Sequence, residues 1–150
     1  MPSIKKFKLD TESMDKGVWA TFYTDPKTKK SIRALVASVS SPEYTRAVSD
    51  LTRRRKNDIK LAGTGLNAEI IGEIQREAAG AVLLNGWTDI EDESGNPIPF
   101  SREQAMTFMT DRSYTEFYDW VMEVSNNREN YRKEAVAEAA KNLPSASSGS

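Results

Sequence analysis

The sequence contains no cysteine and no histidine among its 150 residues. Without cysteine there is no disulfide framework, thiol nucleophile or thiolate metal site, which fits a reducing compartment. Histidine is the usual general base near neutral pH and a very common metal ligand, so most hydrolase and metalloenzyme classes are excluded. The composition therefore predicts a protein that is not an enzyme and that needs no cofactor.

Long apolar runs are also missing. No stretch approaches the roughly 18 apolar residues that a membrane span needs, and residues 1–8 lack the apolar segment of a signal peptide. We therefore expect the protein to remain in the compartment where it is made. A chain of 150 residues can form one substantial core, and we predict a single globular domain over residues 1–143 with a flexible tail at residues 144–150.

Charge is divided unevenly along the chain. Residues 1–60 hold 14 Lys and Arg against 7 Asp and Glu, whereas the remaining residues hold 7 against 15. This division could serve nucleic acid, an acidic partner or head-to-tail self-association, or the two halves could neutralise each other within one fold. The basic cluster at residues 53–56 lacks interleaved aromatic side chains, so a solvated helix end is favoured over a phosphate-binding site.

The first part of the chain has β character. Residues 17–24 are rich in aromatic and β-branched side chains, residues 25–30 suit a turn, and residues 31–37 supply a return strand, although they also fit a helical period. We therefore predict an α+β, mainly α fold. An N-terminal β-hairpin or small antiparallel sheet is followed by about five helices.

Helix signals follow from residue 41. Ser41 suits an N-cap and Pro42 the first position of a helix over residues 42–56, after which the chain to residue 65 is predicted to be a loop. The next helix begins near residue 67 and continues until Asn85 and Gly86 end it. We expect the glycines inside it, Gly72 and Gly80, to permit close packing with another element.

Two capping boxes predict the next helix starts. They are Ser101-x-x-Gln104 and Ser113-x-x-Glu116, in which the serine accepts from a backbone amide and the Gln or Glu side chain reaches back. A last helix is predicted over residues 128–141.

Acidic clusters in this half of the chain fail the tests for metal or catalytic sites. The stretch from Asp89 lacks EF-hand spacing, because its sixth position is Ser94 and its twelfth is Phe100. Glu116, Asp119 and Glu123 are interpreted as the solvated side of an amphipathic helix. We predict no metal site.

An aromatic stripe is the strongest candidate for partner contact. Phe117, Trp120 and Val124 recur at helical spacing and form either core or partner surface, which periodicity does not separate. Together with Trp87 and Phe108, they are the predicted partner-binding residues.

The order of several short motifs resembles the tail assembly chaperones of long-tailed, lambda-like bacteriophages, over about residues 16–142. The motifs are Gly17-Val18-Trp19 opening a strand, Ser41-Pro42-Glu43-Tyr44 opening a helix, Val82-Leu83-Leu84-Asn85-Gly86-Trp87 closing one, Asn96-Pro97-Ile98-Pro99-Phe100-Ser101 before a capping box, and Arg128-Glu129-Asn130-Tyr131 near the polar tail. The resemblance implies a non-catalytic late protein of the host bacterial cytoplasm. It would bind the tape measure protein, help tail tube subunits polymerise around it, and be absent from the mature virion.

The resemblance also implies a longer product, made by frameshifting near the tail, that would add contacts to the tape measure or tail tube protein. Residues 140–142 can be encoded by a slippery heptamer, which the gene sequence would show. Two alternatives remain open: a small nucleic-acid-binding or regulatory domain that uses the basic first 60 residues, and a structural tail component that stays in the particle.

Overall fold

The computed structural model describes residues 3–61, 63 and 67–141. It confirms the predicted α+β, mainly helical fold with a small antiparallel sheet near the N-terminus. The predicted tail at residues 144–150 lies outside the described residues. None of the described helices combines the length and apolar character needed to cross a membrane.

The described elements begin with two short helical segments and the hairpin. A 3-10 helix, Ile4–Phe7, and helix α1, Thr11–Lys16, precede the hairpin of β1, Val18–Thr24, and β2, Ser31–Val36. The chain continues through α2 (Pro42–Arg54), α3 (Lys56–Leu61), α4 (Ala68–Ala78), a π-helix (Ala79–Leu83), β3 (Leu84–Thr88), α5 (Arg102–Thr110), a 3-10 turn (Arg112–Tyr114), α6 (Thr115–Asn126), a second 3-10 turn (Arg128–Tyr131) and α7 (Lys133–Lys141). The two helical segments before the hairpin were not predicted.

The hairpin is confirmed, and residues 31–36 are strand rather than helix. Val18 pairs with Val36 and Thr24 with Ser31. A third strand, β3, pairs antiparallel with β2. The helical stretch ends at Leu83, close to the predicted end, but Asn85 and Gly86 lie in this strand rather than in a helix cap. Gly86 lies inside β3, where an added β-carbon would make only ordinary van der Waals contacts, 3.4 Å from the Leu35 Cβ and 3.5 Å from the Trp19 ring. Its place inside a strand shows that it does not act as a helix C-cap.

The predicted helix at Pro42 is confirmed, with the Ser41 hydroxyl accepting from the Tyr44 amide at 3.3 Å. The predicted loop after it is wrong at residues 57–61, which belong to α3. The two helices meet at Arg55, whose amide donates to the Leu51 carbonyl at 3.1 Å and whose carbonyl accepts from the Ile59 amide at 3.0 Å.

The predicted long helix begins as expected, with Asn67 capping the Ile70 amide at 2.9 Å. Its last turn widens into the π-helix Ala79–Leu83. The expected close packing is confirmed at Gly80 but is wrong at Gly72, where an added β-carbon meets nothing within 4 Å. Ile71 of α4 is 38% exposed.

One of the two predicted caps is correct. The Ser101 hydroxyl accepts from the Gln104 amide at 3.0 Å and starts α5. Ser113 is not the cap of the next helix, because the Asp111 carboxylate accepts from the Ser113 amide at 2.9 Å and starts a 3-10 turn. Helix α6 then begins at Thr115.

The core lies between one face of the sheet and helices α5 and α6. Residues from β1, β2, β3 and the π-helix pack there against Phe108 of α5 and Val121 of α6. Two buried hydroxyls join helices to the sheet end: Tyr131 donates to the Val36 carbonyl at 2.8 Å and Ser125 to the Ala37 carbonyl at 2.7 Å. Burial raises the pKa of the Tyr131 hydroxyl above its ordinary value. This hydroxyl therefore stays neutral and donates at physiological pH.

Candidate functional site

A groove of about 540 Å³ lies on the helical side of the molecule, where α2, the end of α4, the π-helix and α5 meet. Small and apolar side chains contribute to its lining together with a charged and polar set. The lining residues are Ala47, Asp50, Leu51, Arg54, Glu77, Ala81, Met106 and Thr110. The groove is partly open to solvent and is not a closed cavity.

The π-helix shapes one wall of this groove. Gly80 faces α5 so closely that a β-carbon there would lie 2.8 Å from the Met106 Cα and 2.9 Å from its sulfur. The next residue, Ala81, lines the groove together with Met106. Single π-turns are uncommon and are often retained at functional sites, because they reposition side chains relative to a regular helix.

Arg102 holds the end of the π-helix in place. Its guanidinium donates to the carbonyls of Gly80 at 2.9 Å and Leu84 at 2.8 Å, and to the Asn85 side-chain oxygen at 2.9 Å. These acceptors lie where the helix changes into β3 and its own hydrogen bonding ends. Burial lowers the pKa of the Arg102 guanidinium, but arginine remains charged at neutral pH. One cation therefore fixes the junction behind the groove wall.

A second arginine ties α4 to the following helices. The Arg76 guanidinium donates to the Met109 carbonyl at 3.2 Å and the Thr115 hydroxyl at 3.3 Å, and lies 4.2 Å from the centre of the Tyr118 ring. These contacts connect α4 with the end of α5 and the start of α6. The groove walls are therefore joined by polar contacts as well as by apolar packing.

The basic cluster at residues 53–56 borders the groove, and its side chains have different partners. Arg53 pairs with Asp50 at 2.6 Å, and Arg55 pairs with Glu73 and Glu77 of α4. The hydrogen bond to Glu73 is the main reason that the pKa of Arg55 is raised, and burial opposes it. Two of the four cations thus neutralise carboxylates of this same chain. This arrangement reduces the cluster's suitability for binding phosphates.

The predicted partner-binding residues are brought together, but largely inside the core. The Phe108 ring lies 5.2 Å from Trp87 and 5.8 Å from Phe117, and Phe117 stacks on Trp120 at 6.0 Å. Val124 belongs to the same buried cluster, whereas Trp120 is only partly buried. Their contribution to partner binding stays a prediction, and their packing shows that they stabilise the fold.

The groove itself was not predicted from the sequence. Its apolar lining comes from three separate elements, and the alanines among it carry no recognisable signal. Gly80 gave the one useful indication, since a glycine in a helix interior suggested close packing at that point. Across the described part of the chain, no group of three or more acidic side chains is placed to hold a metal ion.

A protein-family model matches most of the chain. Residues 39–142 match the family described as the YdaY prophage protein, a range that includes every groove-lining residue. No curated protein and no solved structure matches the chain. Because the matched range covers well over half of the sequence, the chain belongs to the YdaY prophage protein family and is phage-derived.

Proposed function

We propose that this protein is a non-catalytic phage tail assembly chaperone that holds a helical segment of the tape measure protein in the groove between α2, α4 and α5. It would act in the host bacterial cytoplasm and leave before the virion matures. Tail tube subunits would then take its place on the tape measure protein. The groove is the single observation that carries the proposal.

The shape and lining of the groove suit an amphipathic helix. Such helices bind by placing apolar side chains from successive turns into a concave apolar surface. The apolar positions Ala47, Leu51, Ala81 and Met106 provide that surface. Small residues on two walls let the backbone of a partner helix approach closely.

The charged side chains at the rim of the groove favour one orientation of the bound helix and particular charged residues on it. Asp50 and Glu77 each have a partner within the chain, Arg53 and Arg55 respectively. Arg54 lines the groove, is exposed and has no ion pair with the described residues. A carboxylate on the bound segment would complement it, although an exposed pair contributes only about 0.2–1 kcal/mol.

Moderate affinity is a requirement of the proposed role. The apolar helical faces of a long tape measure protein must be shielded from water until tube subunits surround it. The protein that shields them must then dissociate. An open groove between three helices offers a contact of limited area, which is typical of transient complexes. The absence of histidine and cysteine from the sequence also supports a binding role rather than a catalytic one.

The test is co-expression with the tape measure gene of the same prophage, followed by pull-down. Ala47→Trp fills the groove and should abolish capture, whereas Ser49→Trp, on the exposed outer side of α2, should leave it unchanged. Equal capture by both variants would contradict the groove as the binding site. Circular dichroism and thermal unfolding of both variants show that each remains folded.

Two further outcomes separate the alternatives. Recovery of the protein in purified virions would favour a structural tail component. Binding to duplex DNA that disappears between low and physiological salt would favour a nucleic-acid-binding domain.

A further inference from the structure

Among the described residues, the two most exposed large apolar side chains lie together near the N-terminus. Ile4 is 82% exposed and Phe7 is 55% exposed, both on the 3-10 helix Ile4–Phe7. Lys5, Lys6 and Lys8 surround them and are also exposed. Burial of a Phe or Ile side chain is strongly favourable, so neighbouring apolar groups left in water with cations around them suggest a docking element. We call Ile4–Phe7 the docking segment.

The docking segment is held in position by the rest of the fold. The Arg132 guanidinium lies 5.5 Å from the centre of the Phe7 ring and donates to the Lys6 carbonyl at 3.4 Å. Leu9 forms a β-bridge with Arg132. A held segment loses less conformational entropy on binding than a free one, which favours its use as a contact.

A hollow of about 340 Å³ with complementary chemistry lies at the turn end of the hairpin. Ile32 and the aromatic ring of Tyr23, which is 51% exposed, provide apolar surface. Among the residues that line the hollow, carboxylates outnumber the one lysine, which pairs with Glu91 at 3.8 Å. The charged lining residues are Asp25, Lys30, Asp89, Glu91 and Asp92. The hollow therefore combines two partly exposed apolar side chains with a mainly acidic lining.

The docking segment and the hollow lie at opposite ends of the sheet. The Tyr131 hydroxyl donates to the Val36 carbonyl, and the next residue, Arg132, contacts the docking segment. Val36 pairs with Val18, so the docking segment lies near this end of the sheet. The hollow adjoins the other end, where Thr24 pairs with Ser31. A seven-residue strand separates them by about 20 Å at roughly 3.3 Å per residue. One copy of the chain therefore cannot place its own docking segment in its own hollow.

We propose that the docking segment of one copy inserts Phe7 into the hollow of a second copy, with Lys5, Lys6 and Lys8 facing its carboxylates. Each copy has one docking segment and one hollow, so each can contact its neighbour through either end. The uneven charge division of the chain then serves self-association. The contact is small, so association is weak, and its electrostatic part weakens as salt shortens the screening length.

Sedimentation velocity of the intact chain tests this proposal. The wild type should exceed the monomer mass of 16.8 kDa as concentration rises, and should do so less at high salt. Phe7→Glu removes the docking segment, and Tyr23→Lys places a repelling cation in the hollow, so each variant alone should remain monomeric. Ile71→Glu is the matched control, because Ile71 is an exposed apolar residue on α4 outside both surfaces. It should associate like the wild type.

An equimolar mixture of the two monomeric variants gives the sharpest result. The Tyr23→Lys chain still has its docking segment and the Phe7→Glu chain still has its hollow, so a single contact can form. The mixture should therefore produce a species of two chains and nothing larger. A wild type that stays monomeric at about 1 mM, association of Phe7→Glu equal to the wild type, or a mixture without the two-chain species would each overturn the proposal. Unchanged thermal midpoints show that the variants remain folded.

Discussion

Gly80 and Met106 lie so close that a β-carbon on Gly80 would come within 2.8 Å of the Met106 Cα. The π-helix and α5 can approach this closely only because position 80 has no side chain. The same contact positions Ala81 and Met106 as neighbours in the groove wall. The width of the proposed binding groove therefore depends on this glycine.

The first prediction is a contrast between two glycines of the same helical stretch. Gly80→Ala should lower the free energy of unfolding by about 1–3 kcal/mol, because α5 must move away. Gly72→Ala should raise it by up to about 1 kcal/mol, since alanine favours a helix and nothing lies within 4 Å of the added carbon. Urea unfolding measures both. Two equal gains would show that the close approach at Gly80 is absent.

The second prediction concerns the junction behind the groove. Arg102→Met removes the donors to Gly80, Leu84 and Asn85, and should cost about 1.5–3 kcal/mol of stability. Arg102→Lys keeps the charge but loses the planar fork, so its cost should be intermediate. Chemical unfolding of the three proteins gives the order. Equal stability of the methionine variant and the wild type would contradict this role.

The third prediction is a pH dependence. The pKa of the Tyr131 hydroxyl is raised in the folded protein, and burial raises the pKa of Tyr44 to about 12. A raised pKa stabilises the fold below the ordinary tyrosine value near 10, and this stabilisation is lost as pH rises above it. The free energy of unfolding should therefore fall above about pH 10.

Tyr131→Phe isolates one part of this effect. At pH 7 it should cost about 1–2 kcal/mol, because the Val36 carbonyl loses its buried donor. At pH 11 the difference between variant and wild type should be smaller, since the unfolded wild type then gains from losing its proton. A difference that grows with pH would contradict the assignment.

The fourth prediction separates the aromatic residues by burial. Phe117 is buried, so Phe117→Ala should lower the free energy of unfolding by about 3–5 kcal/mol. Trp120 is only partly buried, so Trp120→Ala should lower it by less. Thermal or urea unfolding of both variants gives the comparison. If Trp120→Ala is nearly neutral for stability yet abolishes partner capture, Trp120 belongs to the interface. An equal or larger stability loss at Trp120 would contradict the burial order.

Short sequence motifs were sufficient to predict a strand or a helix start when the residues that determine it lie close together in the sequence. The hairpin was predictable from its β-branched and aromatic strands, and the starts of α2 and α5 from Ser41 and Ser101. The start of α6 was misplaced because Asp111 and Ser113 are both good caps, and the carboxylate two residues earlier takes the amide. A choice between adjacent caps depends on the path of the preceding chain, which a short motif does not specify.

Features that arise between distant elements were not predictable. Strand β3 exists because residues 84–88 find β2 as a partner, and the helical pattern before it gave no sign of that pairing. The π-helix depends on packing against α5 and on Arg102, 22 residues beyond Gly80. The groove combines positions from α2, the π-helix and α5, so its lining can be recognised only once those elements are placed.

The most direct test of the groove uses the methionine methyl groups as reporters. Met106 lines the groove, whereas Met109, one turn away on α5, is fully buried in the core. In a chain labelled with ¹³C at the methionine methyls, adding the tape measure protein should shift or broaden the Met106 signal while the Met109 signal changes little. A Met106 signal that stays unchanged when the tape measure protein is saturating would contradict binding in the groove.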